Sequence, residues 1–170
     1  MKIAMLGLKG VPYPAGIENF TEQVGWRLVE RGHQVTIYTR PYVSVDTRYR
    51  GMTIKKLPSI NSKHLDALTH TFLSSINAAL NKFDIAHFHA LGPSVLAPIT
   101  TIRGIKTIAH VHGLDYQRKK WGKPAQILLR GAEYASIYFP HRTLVVSRWL
   151  KNYFGQRYHK EVDYVPSGVN

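Results

Sequence analysis

Two kinds of hydrophobic spacing alternate along this chain. Short apolar runs, which are typical of buried strands, occupy residues 2–8, 34–39, 52–57, 84–89, 106–112, 142–147 and 162–165. Between these runs, apolar residues recur at the three- and four-residue spacing of a helix face in residues 17–31, 65–80, 93–103, 124–139 and 148–154. Strands separated by helices predict βαβ units. We therefore expect an α/β, Rossmann-like fold with a mostly parallel sheet and helices on both faces.

The clearest helical pattern is the one in residues 65–80. One face of this helix carries five large apolar residues: Leu65, Leu68, Phe72, Ile76 and Leu80. The first helix is closed by Gly32, and Pro124 stands where the helix of residues 124–139 can begin. No apolar run approaches the ~20 residues needed to span a bilayer, so we expect a soluble chain or one that lies on a membrane surface.

The loop after the first strand has the features of an anion-binding turn. Ligands of open parallel sheets bind at the carboxyl ends of the strands, which is where this loop lies. Gly10 and Gly16 allow a ligand to approach the backbone. The helix start after Gly16 presents unpaired N–H groups that suit a pyrophosphate. Glu18, in the first turn, could instead satisfy those donors.

Four histidines stand in two pairs near strand ends. His87 and His89 alternate along one strand, and we expect them to point to opposite faces and so not to bind one metal ion together. His110 and His112 share a face, which places His112 at the strand tip, directed at the cleft. The sequence contains no Asp-x-Asp pair, which argues against a divalent cation that bridges a nucleotide diphosphate.

The loop at residues 113–123 is the richest candidate segment. Gly113 permits a tight turn, and the residues after it display charged and aromatic side chains: Asp115, Tyr116, Arg118 and Trp121. Arginine together with aromatic rings suits the recognition of phosphates and rings. Because binding residues concentrate on loops, we expect a ligand to contact this segment.

The charge balance of the chain is strongly positive. Lys and Arg total 23 and Asp and Glu total 10, which gives a net charge of +13. Such a field attracts nucleic acid, anionic lipid headgroups or phosphorylated substrates. From Arg118 to the C-terminus the sequence holds ten basic and three acidic residues, with aromatic residues between them. We therefore expect residues 118–160 to dock on anionic lipid. The absence of cysteine agrees with a cytoplasmic setting.

Short motifs occur in a fixed order along the whole chain: Ala15-Gly16-Ile17-Glu18, His87-Phe88-His89, His112-Gly113, Val146-Ser147 and Val165-Pro166-Ser167-Gly168-Val169-Asn170. Together they resemble the N-terminal domain of the retaining glycosyltransferases of family 4, which have the GT-B fold. The segment from His112 to Gly122 resembles a narrower, rhamnosyltransferase-like subgroup used in bacterial surface-polysaccharide assembly. The sequence departs from the family pattern at Ala15, Ser167 and Asn170, where the family has Gly, Asn and Asp, and at His141-Arg142, where it often has Ala-Asp.

The resemblance implies an enzyme of two domains, of which this chain is the first. Residues 1–165 would form the acceptor-side domain, and residues 166–170 would begin the linker to a C-terminal domain that binds the nucleotide-diphosphate sugar. The partners would be that nucleotide sugar, a glycan or lipid-linked acceptor, and an anionic membrane surface on the inner face of the cell membrane. We expect no metal, no other cofactor and no nucleic acid, and an isolated domain that is inactive.

The resemblance also implies roles for individual residues. His112 would be the catalytic residue, placed near the donor sugar to help hold an oxocarbenium-like transition state. Ala15, Gly16 and Glu18 would form the loop at the donor diphosphate. The cleft and acceptor candidates are Lys9, His89, Gly113, Asp115, Tyr116, Arg118 and Trp121.

Two other classes of function fit parts of the sequence. A basic nucleic-acid- or membrane-binding module fits the charge, although no nucleic-acid-binding motif is present. A fragment of a nucleotide-dependent oxidoreductase fits the alternating strands and helices. Against it, Lys9 replaces the second glycine of G-x-G-x-x-G, and the second strand ends in Thr39-Arg40-Pro41, without an acidic residue to hold a ribose.

Overall fold

The structure is a computed structural model and describes residues 1–62, 65–114 and 122–168. Eight strands lie in one sheet: β1 (Lys2–Leu6), β2 (Gln34–Thr39), β3 (Arg48–Tyr49), β4 (Met52–Lys56), β5 (Ile85–His89), β6 (Lys106–Val111), β7 (Arg142–Val145) and β8 (Asp163–Tyr164). The helices are α1 (Gly16–Glu30), α2 (Asp66–Leu80), α3 (Leu91–Ser94), α4 (Ala97–Thr101), α5 (Lys123–Tyr138) and α6 (Arg148–Tyr158). No helix in these described ranges is long and apolar enough to cross a membrane.

The strand order across the sheet is β3-β4-β2-β1-β5-β6-β7-β8, and the pairs are parallel except for the β3–β4 hairpin. The chain moves outward from β1 to β2 and β4, returns to β5 on the other side of β1, and continues outward to β8. The mostly parallel α/β fold expected from the sequence is thereby confirmed. The reversal of direction opens a crevice at the carboxyl ends of β1 and β5, where ligands of such sheets bind.

Two local features differ from the sequence expectation. The short β3 was not predicted, and it pairs with β4 through a turn at Arg50 and Gly51, both of which have positive φ (47° and 78°), as tight hairpins require. The apolar stretch predicted as one helix over residues 93–103 forms two short helices, α3 and α4. Pro98 explains the break, because it has no N–H to continue the hydrogen-bond ladder of α3.

The central strands divide their side chains between two layers. Ile3 and Met5 of β1 pack in one apolar core with α1, and Ala4 and Leu6 pack in a second core with α2. Because alternate residues of a strand point to opposite faces, the two helices cover opposite sides of the sheet. Gly25 lets α1 lie close to the sheet, since a Cβ there would stand 2.5 Å from the Met52 sulfur.

Helix α2 packs on the sheet with a face of small and polar residues. Its buried residues are His70, Thr71, Ser74, Ser75 and Ala78. The hydroxyls of Thr71, Ser74 and Ser75 donate to the carbonyl oxygen four residues earlier, at 2.7 Å in each case, so burial leaves none of them unpaired. The apolar side chains that identify this helix in the sequence remain partly exposed, up to 68% for Leu80.

Candidate active site

Contacts with neighbouring residues fix the conformation of the loop between β1 and α1. Gly7 and Gly10 have positive φ (86° and 141°), and a Cβ on Gly7 would lie 2.6 Å from the carbonyl oxygen of His89. The buried carboxylate of Glu18 accepts the backbone N–H of Lys9 at 3.0 Å. Glu18 therefore ties the loop to the first turn of α1.

Helix α1 begins beside open space. Its N-cap residue, Ala15, has an extended backbone and makes no side-chain capping hydrogen bond. Among the residues that the structure describes, a Cβ on Gly16 would meet nothing within 4 Å. In the same loop, the Lys9 ammonium lies 3.2 Å from the Tyr13 hydroxyl oxygen and 4.5 Å from the centre of that ring. A helix N-terminus with free approach and a nearby cation is suited to an anion.

Four histidines form a continuous row on the α1 side of the sheet. The ring centres of His87 and His89 are 4.3 Å apart, and those of His110 and His112 are 4.4 Å apart. His89 is paired with His110 across β5 and β6. The expectation that His87 and His89 point to opposite faces is wrong, because residues two apart on a strand share a face. The expectation that His110 and His112 share a face is confirmed.

Helix α1 covers this row with one aromatic ring. The Phe20 ring stands edge-on to three imidazoles, with centre-to-centre distances of 5.0 Å to His110, 5.5 Å to His112 and 6.3 Å to His89. Phe20 lies about one helical turn after Gly16. The start of α1 and the histidine at the end of β6 therefore lie along one rim of the sheet.

The row contains few hydrogen bonds. His89 Nδ1 and His112 Nε2 are 3.3 Å apart. Among the described residues, His87 Nε2, His89 Nε2 and both ring nitrogens of His110 have no hydrogen-bond partner. Burial lowers the pKa of His87 and of His112 to about 4, and that of His110 to about 2. Burial and the neighbouring imidazoles also hold the pKa of His89 well below its ordinary value. The row is neutral at pH 7.

The structure brings part of the predicted set of site residues together. Lys9 and Ala15 lie in the loop that leads into α1, Gly16 and Glu18 lie in the first turn of α1, and Gly113 follows His112 directly. His112 is partly exposed at the end of the row, whereas His89 is fully buried behind it. Within the described part of the chain, His89 meets the rim through its contact with His112. Asp115, Tyr116, Arg118 and Trp121 lie outside the described residues.

Phe20, His87 and His110 belong to this site but were not among the predicted residues. The period of two in His87-Phe88-His89 and in His110-Val111-His112 was the signal for the histidines, once it is applied to one face of two neighbouring strands. Phe20 occupied a core position in the helical pattern of α1, and nothing in that pattern distinguishes a ring that covers histidines from one that covers aliphatic side chains.

Comparison with known proteins identifies a family. The family model for Glycosyltransferase Family 4 matches residues 14–170. No curated protein sequence gives a significant match to the chain.

Solved structures share the fold at low sequence identity. The HepE protein of Anabaena, solved in complex with UDP and glucose, has a TM-score of 0.67 and 16% identity over 100% of this chain and 45% of its own. A sucrose-phosphate synthase from Thermosynechococcus elongatus has a TM-score of 0.64 and 14% identity, with coverage of 100% and 91%. A glycosyltransferase from Rickettsia africae has a TM-score of 0.62 and 19% identity, with coverage of 99% and 43%. The chain thus spans less than half the length of the first and the third.

Proposed function

The chain belongs to glycosyltransferase family 4, and on that premise we propose that it is the acceptor-side domain of a retaining glycosyltransferase. The enzyme would transfer a sugar from a nucleotide-diphosphate sugar to a glycan or lipid-linked acceptor. Residues 1–165 would form this domain, and residues 166–170 would lead to a C-terminal domain that holds the nucleotide. One observation carries the proposal: the start of α1 at Gly16 and the His112 side chain lie on the same rim of the sheet. This rim would form one wall of the cleft between two domains.

The start of α1 is assigned to the donor diphosphate. The open amide groups after Ala15 and the free space beside Gly16 suit phosphate oxygens, because the helix dipole favours negative charge there. The Glu18 carboxylate is occupied with the Lys9 amide, so it leaves the helix start to the ligand. Lys9 adds positive charge in the same loop. No metal ion is required for this contact.

His112 is assigned to the donor sugar. It stands at the end of β6 on the same rim, it is neutral at pH 7, and His89 holds its ring from behind. Because His112 Nε2 faces His89, the Nδ1 atom of His112 is left for one hydrogen bond with a sugar hydroxyl. Contacts that strengthen as positive charge develops on the sugar ring lower the barrier to transfer. Closure of the two domains would exclude water from this cleft.

The role of His112 is tested by substitution in the two-domain enzyme. His112→Ala is expected to lower kcat by roughly 100-fold or more, the usual cost of one transition-state hydrogen bond, with an unchanged circular dichroism spectrum. His159→Asn is the matched control, because His159 is exposed after α6 in a left-handed conformation (φ 52°) that asparagine tolerates. Near-normal turnover of His112→Ala would refute the assignment.

The need for a second domain is tested separately. The chain alone is expected to show no transfer and no hydrolysis of a nucleotide sugar. Addition of the C-terminal domain, as a separate chain or as a fusion, is expected to restore turnover. Activity of the chain alone would contradict the division of roles between the two domains.

A peripheral membrane location fits the same proposal. The surface of α6 carries Arg148, Trp149 and Lys151, all exposed, and the Trp149 and Tyr153 rings stack at 5.4 Å. Exposed aromatic and basic side chains together suit an interface with anionic lipid. This surface would bring the cleft to a lipid-linked acceptor.

A further inference from the structure

Three of the four histidines in the row have the arrangement of a metal site. His87, His89 and His110, which we call the histidine triad, each offer a ring nitrogen, and these atoms all lie within 4.8 Å of one another. We propose that the histidine triad binds one divalent transition-metal ion of the class that includes Zn²⁺. This site is distinct from the nucleotide and sugar contacts assigned above, and it does not rest on them.

The unpartnered nitrogens are the first argument. A neutral imidazole carries one N–H donor and one lone-pair acceptor, and a buried polar group without a partner is costly. His89 and His110 are fully buried, and His87 is nearly so. Yet His87 Nε2, His89 Nε2 and both His110 nitrogens lack a hydrogen-bond partner among the described residues. A metal ion would accept one lone pair from each of the three rings, which leaves only the second nitrogen of His110 without a partner in this set.

The strand geometry is the second argument. Two histidines two apart on β5 and a third at the paired position of β6 place three imidazoles on one face of two adjacent strands. A catalytic or open zinc site uses three protein ligands at about 2.0–2.1 Å, which sets the nitrogens roughly 3.3 Å apart. In the metal-free arrangement the nitrogens lie within 4.8 Å of one another and the rings are stacked, so binding requires the side chains to rotate until their nitrogens converge on the ion.

The contact between His89 and His112 supports the same arrangement. Ligating histidines usually hold their second ring nitrogen in a hydrogen bond, which fixes the orientation of the ring. His89 Nδ1 lies 3.3 Å from His112 Nε2, so His89 Nε2 remains for the ion. Bound metal would then anchor the residue that supports His112 from behind.

The ligand set selects a class of ion, the divalent transition metals, for which Zn²⁺ is the probe. Imidazole nitrogen suits Zn²⁺, Cu²⁺ and Ni²⁺, whereas Mg²⁺ and Ca²⁺ require oxygen ligands, and the triad contains no carboxylate. Three ligands leave a fourth position for water or another small ligand.

The test is Zn²⁺ titration of the chain after treatment with a chelator, with calorimetry for affinity and elemental analysis for stoichiometry. We expect one ion per chain. His87→Gln and His110→Gln are each expected to weaken binding by roughly 100-fold or more. His70→Gln is the matched control, because His70 is also buried but lies on α2, on the opposite face of the sheet. Circular dichroism of each metal-free variant checks its fold.

Two results of the titration would overturn the proposal. No binding to the wild-type chain would overturn the proposal, and so would binding that survives both triad substitutions, since the ion would then be held by surface histidines. If a triad variant does not fold, the wild-type chain decides the question by nuclear magnetic resonance. Zn²⁺ must shift the imidazole signals of His87, His89 and His110, and unchanged signals overturn the site. Transfer by the two-domain enzyme is tested separately, by His112→Ala, so failure of the metal site and failure of the proposed function are distinguishable.

Discussion

Gly7 and Gly16 stand at the two ends of the connection between β1 and α1, and of the two only Gly7 is required by the fold of the ligand-free chain. Gly7 has a φ of 86°, and a Cβ there would stand 2.6 Å from the His89 carbonyl oxygen. Gly16 does not have a positive φ, and no atom of the described part of the chain lies within 4 Å of a Cβ built on it. Gly16 lies at a helix start in the crevice, and the fold does not constrain it. The effect of substituting Gly16 therefore reports on contact with a ligand.

We therefore predict opposite results for alanine at these two glycines. Gly16→Ala keeps or raises the free energy of unfolding, because alanine favours a helix by up to about 1 kcal/mol over glycine. It lowers kcat/KM for the nucleotide sugar by roughly tenfold or more in the two-domain enzyme, because the methyl group occupies the approach of the diphosphate. Gly7→Ala lowers the free energy of unfolding by about 1–3 kcal/mol.

Urea denaturation and steady-state kinetics of both variants check this prediction. Gly7→Ala serves as the control for a purely structural effect in the same connection. Full activity of Gly16→Ala would place the diphosphate elsewhere.

The histidine row marks how far single residues can be predicted from the sequence. The period of two places His87 with His89 and His110 with His112 on shared faces. That β5 and β6 are neighbours, with His89 opposite His110, depends on the pairing of strands distant in sequence. Register is not contained in the periodicity of either strand, so the four-histidine row could not be predicted as one group.

At the scale of elements, α2 shows why helical periodicity identifies a helix but not its buried face. The apolar positions of residues 65–80 correctly predicted the helix. The sheet surface beneath α2 is supplied by Tyr38, Phe88 and Leu6, all fully buried. Large side chains on the sheet leave room only for small ones on the helix, so Ser74, Ser75 and Ala78 face inward.

We predict that substitutions on the buried face of α2, which carries small residues, change the free energy of unfolding more than substitutions on its exposed apolar face. Ala78→Leu is expected to lower the free energy of unfolding by about 1–3 kcal/mol, because overpacking forces strain into a dense core. Leu80→Ser, on the outer face and 68% exposed, is expected to change it by less than about 0.5 kcal/mol. Chemical denaturation measures both. Equal losses for the two variants would mean that the apolar face of α2 is buried.

At the scale of the whole molecule, the sequence pattern was sufficient for the architecture. Alternation of strands and helices leads to parallel βαβ units, and the crevice at the carboxyl ends of β1 and β5 follows from the reversal of strand order. The β3–β4 hairpin was missed because two-residue strands have too few positions to show a period. The crevice was expected to hold Gly16 and His112 on one rim, and that placement needs only the strand order and the helix that follows β1.

Net charge is also a property of the whole chain, and +13 attracts any anionic surface. The location of the positive charge decides where such a surface docks. If the α6 surface meets the membrane, the chain sediments with anionic vesicles at low salt and far less with neutral ones, because attraction falls off within a Debye length. Each basic residue near the surface contributes about 1 kcal/mol.

Charge reversal at two lysines separates docking by α6 from the attraction of net charge. Lys151→Glu removes one positive and adds one negative charge on α6, so binding to anionic vesicles is expected to weaken roughly tenfold or more. Lys106→Glu makes the same change in net charge at the exposed start of β6, at the opposite end of the sheet from the carboxyl rim where α6 begins. It is expected to have a much smaller effect. Equal losses in the two variants, or equal binding of the wild-type chain to neutral and anionic vesicles, would exclude α6 as the docking surface.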